Sequence, residues 1–230
     1  MQHEEFVFLE SPVISDPWPH TIIKNFFSES NKNIIKEFFN NNVPKKELIK
    51  DKSKVKVTTV SNIIQLAKTR NFSINRADNH NCYITLTNEM LIKYPVLTDI
   101  VNIFKNPVII DRICKERNDE KIKQSILRIQ FIRDVTGYTI KPHPDSERKL
   151  FTFQSYFPNN NENLGTNFYD QDISFVKSIP YEENTAYWFI PRQEKPITWH
   201  GFESKNITST RDSVMVNYFT QESNEEGIRL

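Results

Sequence analysis

Only two cysteines, Cys82 and Cys114, occur in the 230 residues. They have neither paired metal-ligand spacing nor the density of a disulfide scaffold, so reduced thiols in a cytoplasmic protein are expected. No run of 18 apolar residues occurs, which excludes an ordinary transmembrane helix and gives no reason to expect a membrane partner. The opening Met1-Gln-His-Glu-Glu lacks the basic region and apolar run of a secretion signal. The formal net charge is only +1, so there is no global basic field and nucleic acid is not expected as a partner. Glycines number four, and there is no internal repeat or long low-complexity tract. Asn71-Phe-Ser73 and Asn206-Ile-Thr208 match the glycosylation pattern, but in an Asn-rich chain without a secretion signal they carry no weight.

What is present fits one globular domain over residues 1–230. Hydrophobic residues make up 37% and charged residues 26%, and 17 Phe with 8 Tyr supply material for a core despite the low mean hydropathy of -0.58. Residues 1–125 read mainly as helices. Over 28–42, Ile34, Ile35, Phe38 and Phe39 form one helical stripe with Ser28 or Ser30 as N-cap. A second helical run over 87–105 must break or kink at Pro95, and 107–123 holds a further helix. After residue 125 the texture changes to strands: Ile126–Val135, Leu150–Phe157, Ala186–Pro191 and Asp212–Thr220 are β-branched and aromatic, bounded by turn formers. The polar stretch 158–167 joins two of them. This order predicts a mainly β protein, an antiparallel sandwich or barrel with helical N-terminal support.

The chemistry-bearing residues lie in the second half. Gly137-Tyr-Thr-Ile-Lys-Pro-His143-Pro-Asp145 ends a strand with His-x-Asp, Trp199-His200-Gly-Phe supplies a second histidine, and Arg211-Asp-Ser213 opens the last apolar strand. Two imidazoles and one carboxylate form the facial triad of non-heme iron(II) sites, leaving three coordination positions for an oxoacid and O₂. Pro144 fixes a turn that lets His143 and Asp145 reach one ion. Arg211, eleven positions after His200, is expected on a neighbouring strand, where its planar fork suits a carboxylate. Ser213, on the same face, adds a hydroxyl. A buried arginine there is costly unless a carboxylate meets it.

In this order, GYTIKPHPD, LFTFQSYF, LGTNF, WHGF and RDSVMVNYF resemble the iron(II)/2-oxoglutarate-dependent oxygenase superfamily, in particular its prolyl 4-hydroxylase-like branch. The resemblance covers roughly residues 126–220. It implies a double-stranded β-helix (jelly roll) over 126–220, with 1–125 as mostly helical support. It also implies iron(II) on His143, Asp145 and His200, and a 2-oxoglutarate carboxylate site on Arg211 and Ser213, with Tyr156 of FQSYF bonded to the same carboxylate. The implied activity is a dioxygenase that consumes O₂ and 2-oxoglutarate, releases succinate and CO₂, and hydroxylates a small molecule or a protein side chain. The carboxylate ligand favours hydroxylation over halogenation.

Blander readings stand beside these. His143 and Asp145 could form a Pro-flanked surface turn, His200 could be a core histidine beside Trp199, and Arg211 could be a solvated charge paired with Asp212. Tyr156 could simply pack. Tyr138 is a candidate pocket wall, and Arg128 and Gln130 line the site only if their strand face points inward. His3, His20 and His80 are not expected to be ligands. A zinc-dependent hydrolase could use the same three ligands but leaves Arg211 and Ser213 without a role. A non-catalytic jelly-roll binding module would have no need of all three.

Overall fold

The computed structural model describes residues 2–43, 73–74, 81–135, 138–159, 162–203, 210–223 and 225–230, with backbone alone at 73, 74, 81, 82 and 203. Asn71, His80, Gly137 and Asn206 lie outside the described residues, as does the side chain of Cys82. Cys114 is free and buried.

The helices are α1 (His3–Glu10), α2 (Glu29–Asn42), α3 (Asn88–Lys93), α4 (Thr98–Lys105) and α5 (Pro107–Arg117). Ser28 caps α2 by accepting from the Asn31 N–H at 3.4 Å, which satisfies one orphan donor of the first turn. The expected break at Pro95 is present as a 3₁₀ turn, Pro95–Leu97, between α3 and α4. The helix predicted within 107–123 is α5, closed at Asn118 in the left-handed region with φ 57°, a conformation Asn tolerates.

The strands are β1 (His20–Ile23), β2 (Ser73–Ile74), β3 (Asn81–Thr85), β4 (Ile126–Val135), β5 (Thr139–His143), β6 (Lys149–Tyr156), β7 (Asn167–Tyr169), β8 (Phe175–Ser178), β9 (Ala186–Phe189), β10 (His200–Glu203), β11 (Thr210–Phe219) and β12 (Ile228–Arg229). They form an eight-stranded sheet in the order β1-β9-β6-β11-β4-β3-β2, with β12 also on β4, and a four-stranded sheet in the order β5-β10-β7-β8. Every pairing is antiparallel. From β4 onward the chain passes between the sheets, with β4, β6, β9 and β11 in the large one and β5, β7, β8 and β10 in the small one. That arrangement is the jelly roll, as expected. The first 125 residues contribute strands as well as helices, since β1, β2 and β3 extend the large sheet at both edges.

Period-two alternation decides which face does what. Leu127, Ile129, Phe131, Phe151, Phe153, Val214, Val216 and Tyr218 point to the outer face of the large sheet, where they are buried with Phe8, Phe38, Phe104 and Ile113 of the helices. Phe153 meets Phe26 at 4.7 Å and Phe104 at 5.0 Å between ring centroids. Burying each such ring contributes roughly 2–3 kcal/mol. The intervening residues point between the sheets: Asp134 and Gln130 from β4, Thr152, Gln154 and Tyr156 from β6, Tyr187 from β9, and Arg211, Ser213 and Asn217 from β11. A second apolar cluster of Trp18, Tyr156, Phe168, Tyr187, Phe189 and Phe202 closes the interior around them.

Candidate metal centre and carboxylate pocket

His143 ends β5 and His200 begins β10, and the two are direct cross-strand partners. The register shifts between His200 and Phe202, whose partners are His143 and Ile140, so β5 carries an extra residue there. Pro142, which has no N–H for the ladder, lies in that bulge. Gly201 lies opposite. A Cβ on it would come 2.7 Å from the Ile140 carbonyl oxygen, so only glycine lets the two strands close at this point. The imidazole centroids are 4.6 Å apart as a result.

Each ring is oriented by a backbone carbonyl two residues earlier. His143 Nδ1 lies 2.8 Å from the Lys141 oxygen and His200 Nδ1 2.9 Å from the Thr198 oxygen. The tautomers assigned from these bonds carry the proton on Nδ1 and leave both Nε2 lone pairs for a ligand. Asp145 follows Pro144 in the turn toward β6 and completes the group: one ligand atom from each of His143, Asp145 and His200 lies within 4.8 Å of the others. Asp145 and His200 are buried while His143 is partly exposed, which leaves one side open to solvent. Among the described residues no other such group occurs.

The carboxylate is held from both sides. Thr152 Oγ1 donates to Asp145 Oδ2 at 2.6 Å and the Lys149 ammonium to Oδ1 at 2.5 Å. Asn217 Nδ2 supports Thr152 at 3.1 Å. Burial works to raise the Asp145 pKa, but the Lys149 ammonium, the His200 ring and the two hydrogen bonds together hold it below the usual carboxylate range. Burial pushes the His200 pKa down to about 4 against the pull of Asp145, so the ring is neutral near pH 7. Two imidazoles and an ionised carboxylate that already accepts a cation are a donor set suited to a divalent metal.

Arg211 faces this group from the opposite sheet. The expectation of a neighbouring strand is corrected here: β10 pairs with β5 and β7, β11 with β4 and β6. The jelly roll moves to its other sheet between His200 and Arg211. The guanidinium is not solvated, being 3% exposed, and its partner is not Asp212. Nη1 donates to Asp134 Oδ2 at 2.6 Å, Nε to the Leu164 carbonyl at 2.6 Å and Nη2 to Thr166 Oγ1 at 3.0 Å. The ring of Phe202 lies 4.6 Å and that of Tyr156 5.3 Å from the guanidinium carbon. Tyr138 stacks on Phe202 with ring centroids 5.8 Å apart.

Ser213 and Tyr156 are fully buried cross-strand partners beside Arg211. Ser213 Oγ accepts from Gln154 Nε2 at 2.8 Å. The Tyr156 hydroxyl donates to Thr166 Oγ1 at 2.8 Å and accepts from the Thr166 N–H at 2.9 Å. Arg128 and Gln130 share the inward face but are engaged elsewhere, Arg128 with Glu225 and the Phe219 ring, Gln130 with Thr85. His3 lies against the Asn25 carbonyl and His20 against that of Trp18, outside the metal group.

Sequence reasoning missed Thr166, Asp134, Thr152 and Lys149. Thr166 is the hub of the pocket: its one hydroxyl meets Tyr156, Tyr187, Gln154 and Arg211 within 3.2 Å. Gly165 allows this, because a Cβ there would fall 1.6 Å from the Ile179 carbonyl oxygen. Thr166→Val keeps the shape and strands several buried donors. A loss of about 1–3 kcal/mol in stability is expected by denaturant unfolding, and a loss under about 0.5 kcal/mol would deny the hub its role.

Neither a protein-family profile nor a curated protein sequence matches the chain. Solved structures do. A Pseudomonas putida prolyl-4-hydroxylase superposes with a TM-score of 0.52 at 8% identity, covering 95% of this chain and 99% of that one. The dioxygenase for auxin oxidation 1 of Arabidopsis thaliana, in its 2-oxoglutarate complex, gives 0.58 at 11%, covering 97% and 90%. The non-heme α-ketoglutarate-dependent carbocyclase of nogalamycin biosynthesis gives 0.53 at 11%, covering 100% and 93%. The chain has the fold of these proteins.

Proposed function

We propose that this chain is an iron(II)- and 2-oxoglutarate-dependent oxygenase that hydroxylates a small molecule or a protein side chain, acting as one cytoplasmic domain. One observation carries the reading: His143, Asp145 and His200 converge between the sheets of a jelly roll while a buried arginine with serine and tyrosine neighbours faces them from the opposite sheet. A zinc hydrolase would leave that arginine pocket unused.

His143, Asp145 and His200 hold the metal. Arg211, Ser213 and Tyr156 receive the far carboxylate of 2-oxoglutarate, Arg211 through the two N–H groups its present partners leave unused. When bound, iron and 2-oxoglutarate together supply activation of O₂ at the cost of the oxoacid, which leaves as succinate and CO₂. The chain's own residues orient and shield. Thr198 and Lys141 carbonyls fix the rings, Thr152 fixes the carboxylate, and Phe168, Phe189 and Phe202 keep water from the interior.

Anaerobic titration of the metal-free protein with iron(II) and then 2-oxoglutarate tests this by the visible charge-transfer band of the chelate. A saturable band is expected, and Ser213→Ala, which removes one hydroxyl donor, should need about fivefold more 2-oxoglutarate. No band at saturating iron and co-substrate sinks the assignment.

A further inference from the structure

Arg211 is already neutralised before any co-substrate arrives. Asp134, its cross-strand partner, places Oδ2 on Nη1, and the pair is buried at 3% and 1% exposure. The other oxygen, Oδ1, is buried without a hydrogen-bond partner among the described residues. An ionised carboxylate oxygen in that state is costly, and only a proton or a donor relieves it.

Docking a second carboxylate on the same guanidinium would put two anions against one cation in a pocket stripped of water. Like charges at such a distance do not both remain ionised. Asp134 is the one to yield. Burial above all, with the Asp212 carboxylate adding, pushes its pKa up to about 6 against the opposing pull of Arg211. Among the described residues the charged or titratable groups near it are few. Arg211 and Asp212 come from β11 and the Tyr181 phenol from the loop before β9, while on β3 the cross-strand partner is the uncharged Asn81.

We infer that Asp134 takes up a proton on Oδ1 as the 2-oxoglutarate carboxylate docks on Arg211, so that the protein binds this dianion together with one proton. Asp134 is thus a specificity-determining residue. It makes the pocket reject a distal carboxylate at high pH and accept it at low pH, and it rests on the oxygenase reading above. The balance is simple: no bond to carbon changes, and one O–H bond forms at the expense of solvent.

The test is calorimetric titration of 2-oxoglutarate into the anaerobic iron(II)-loaded protein at pH 7, in two buffers of different ionisation heat. Uptake of close to one proton per co-substrate is expected, and affinity should fall about 20-fold between pH 6.5 and pH 8. Asp134→Asn should bind without that proton and with a nearly flat pH profile. Binding by the wild type with no net uptake overturns the inference while leaving the oxygenase reading intact, as does full uptake retained by Asp134→Asn. Absence of 2-oxoglutarate binding at every pH overturns both. Should Asp134→Asn not fold, the wild-type proton count and pH profile decide alone.

Discussion

Asp145→Ala is expected to lower iron(II) affinity by at least about 100-fold and to remove turnover, with little loss of fold. Disturbing a group that merely orients a metal ligand costs 10- to 100-fold, and this carboxylate is the one anion among the three residues proposed to hold the metal. Removing it leaves only two imidazoles to face a doubly charged ion. The fold should tolerate the change because the groups holding Asp145 have alternatives. Thr152 keeps its bond from Asn217, and Lys149, with an 18% exposed side chain, can turn its ammonium to water. Iron binding measured by anaerobic titration, with thermal unfolding of the same samples, checks both halves. Wild-type affinity in the variant would mean that the metal, if any, binds elsewhere. Lost affinity with a collapsed melting temperature would mean that Asp145 serves the fold first.

The parts of this site that could be read in advance share a local cause. His143, Pro144 and Asp145 are adjacent in sequence, and the bulge that aims them sits at Pro142 within the same strand. The inward polar faces of β4, β6 and β11 are visible as alternation: Thr152, Gln154 and Tyr156 interleave with Phe151, Phe153 and Ser155. Helix α2 was legible from its stripe and its Ser28 cap. The unread parts depend on pairing between distant segments. β1 and β3 are short mixed runs, HTII and NCYIT, and nothing local says that they extend a sheet beginning at residue 126. Thr166 looks like any loop threonine until Gly165 presses it against Ile179. Asp134 looks like a strand-end charge until the register of β11 puts Arg211 beside it. The apparent closeness of Arg211 to His200 along the chain misleads for the same reason, since the chain exchanges sheets between β10 and β11.

That register also sets the largest stability prediction. Arg133-Asp134 lies one residue before the end of β4 and Arg211-Asp212 one residue after the start of β11, and antiparallel pairing sets Arg211 against Asp134 and Arg133 against Asp212. Alternation sends the two ion pairs to opposite faces of the sheet. The first faces the metal group. The second faces the helices, where Arg133 grips both Asp212 oxygens at 2.7 Å and 2.6 Å, donates to the Val43 carbonyl at 3.1 Å beyond α2, and lies 5.8 Å from the Phe39 ring. Arg133→Met preserves the length and apolar stem of the side chain but leaves Asp212, 4% exposed, as a buried charge without its cation. The expected cost is about 3–5 kcal/mol, a fall in melting temperature of roughly 10 °C for a domain of this size. Adding Asp212→Leu should recover most of it, because the penalty lies in the stranded charge rather than in a lost attraction. Iron and 2-oxoglutarate affinities of the folded fraction should stay within about twofold, since neither residue faces the interior between the sheets. A single variant losing less than about 1 kcal/mol would show that solvent reaches Asp212. A folded variant that loses 2-oxoglutarate affinity would show that the two faces are not independent and that the outer pair holds the inner one in place.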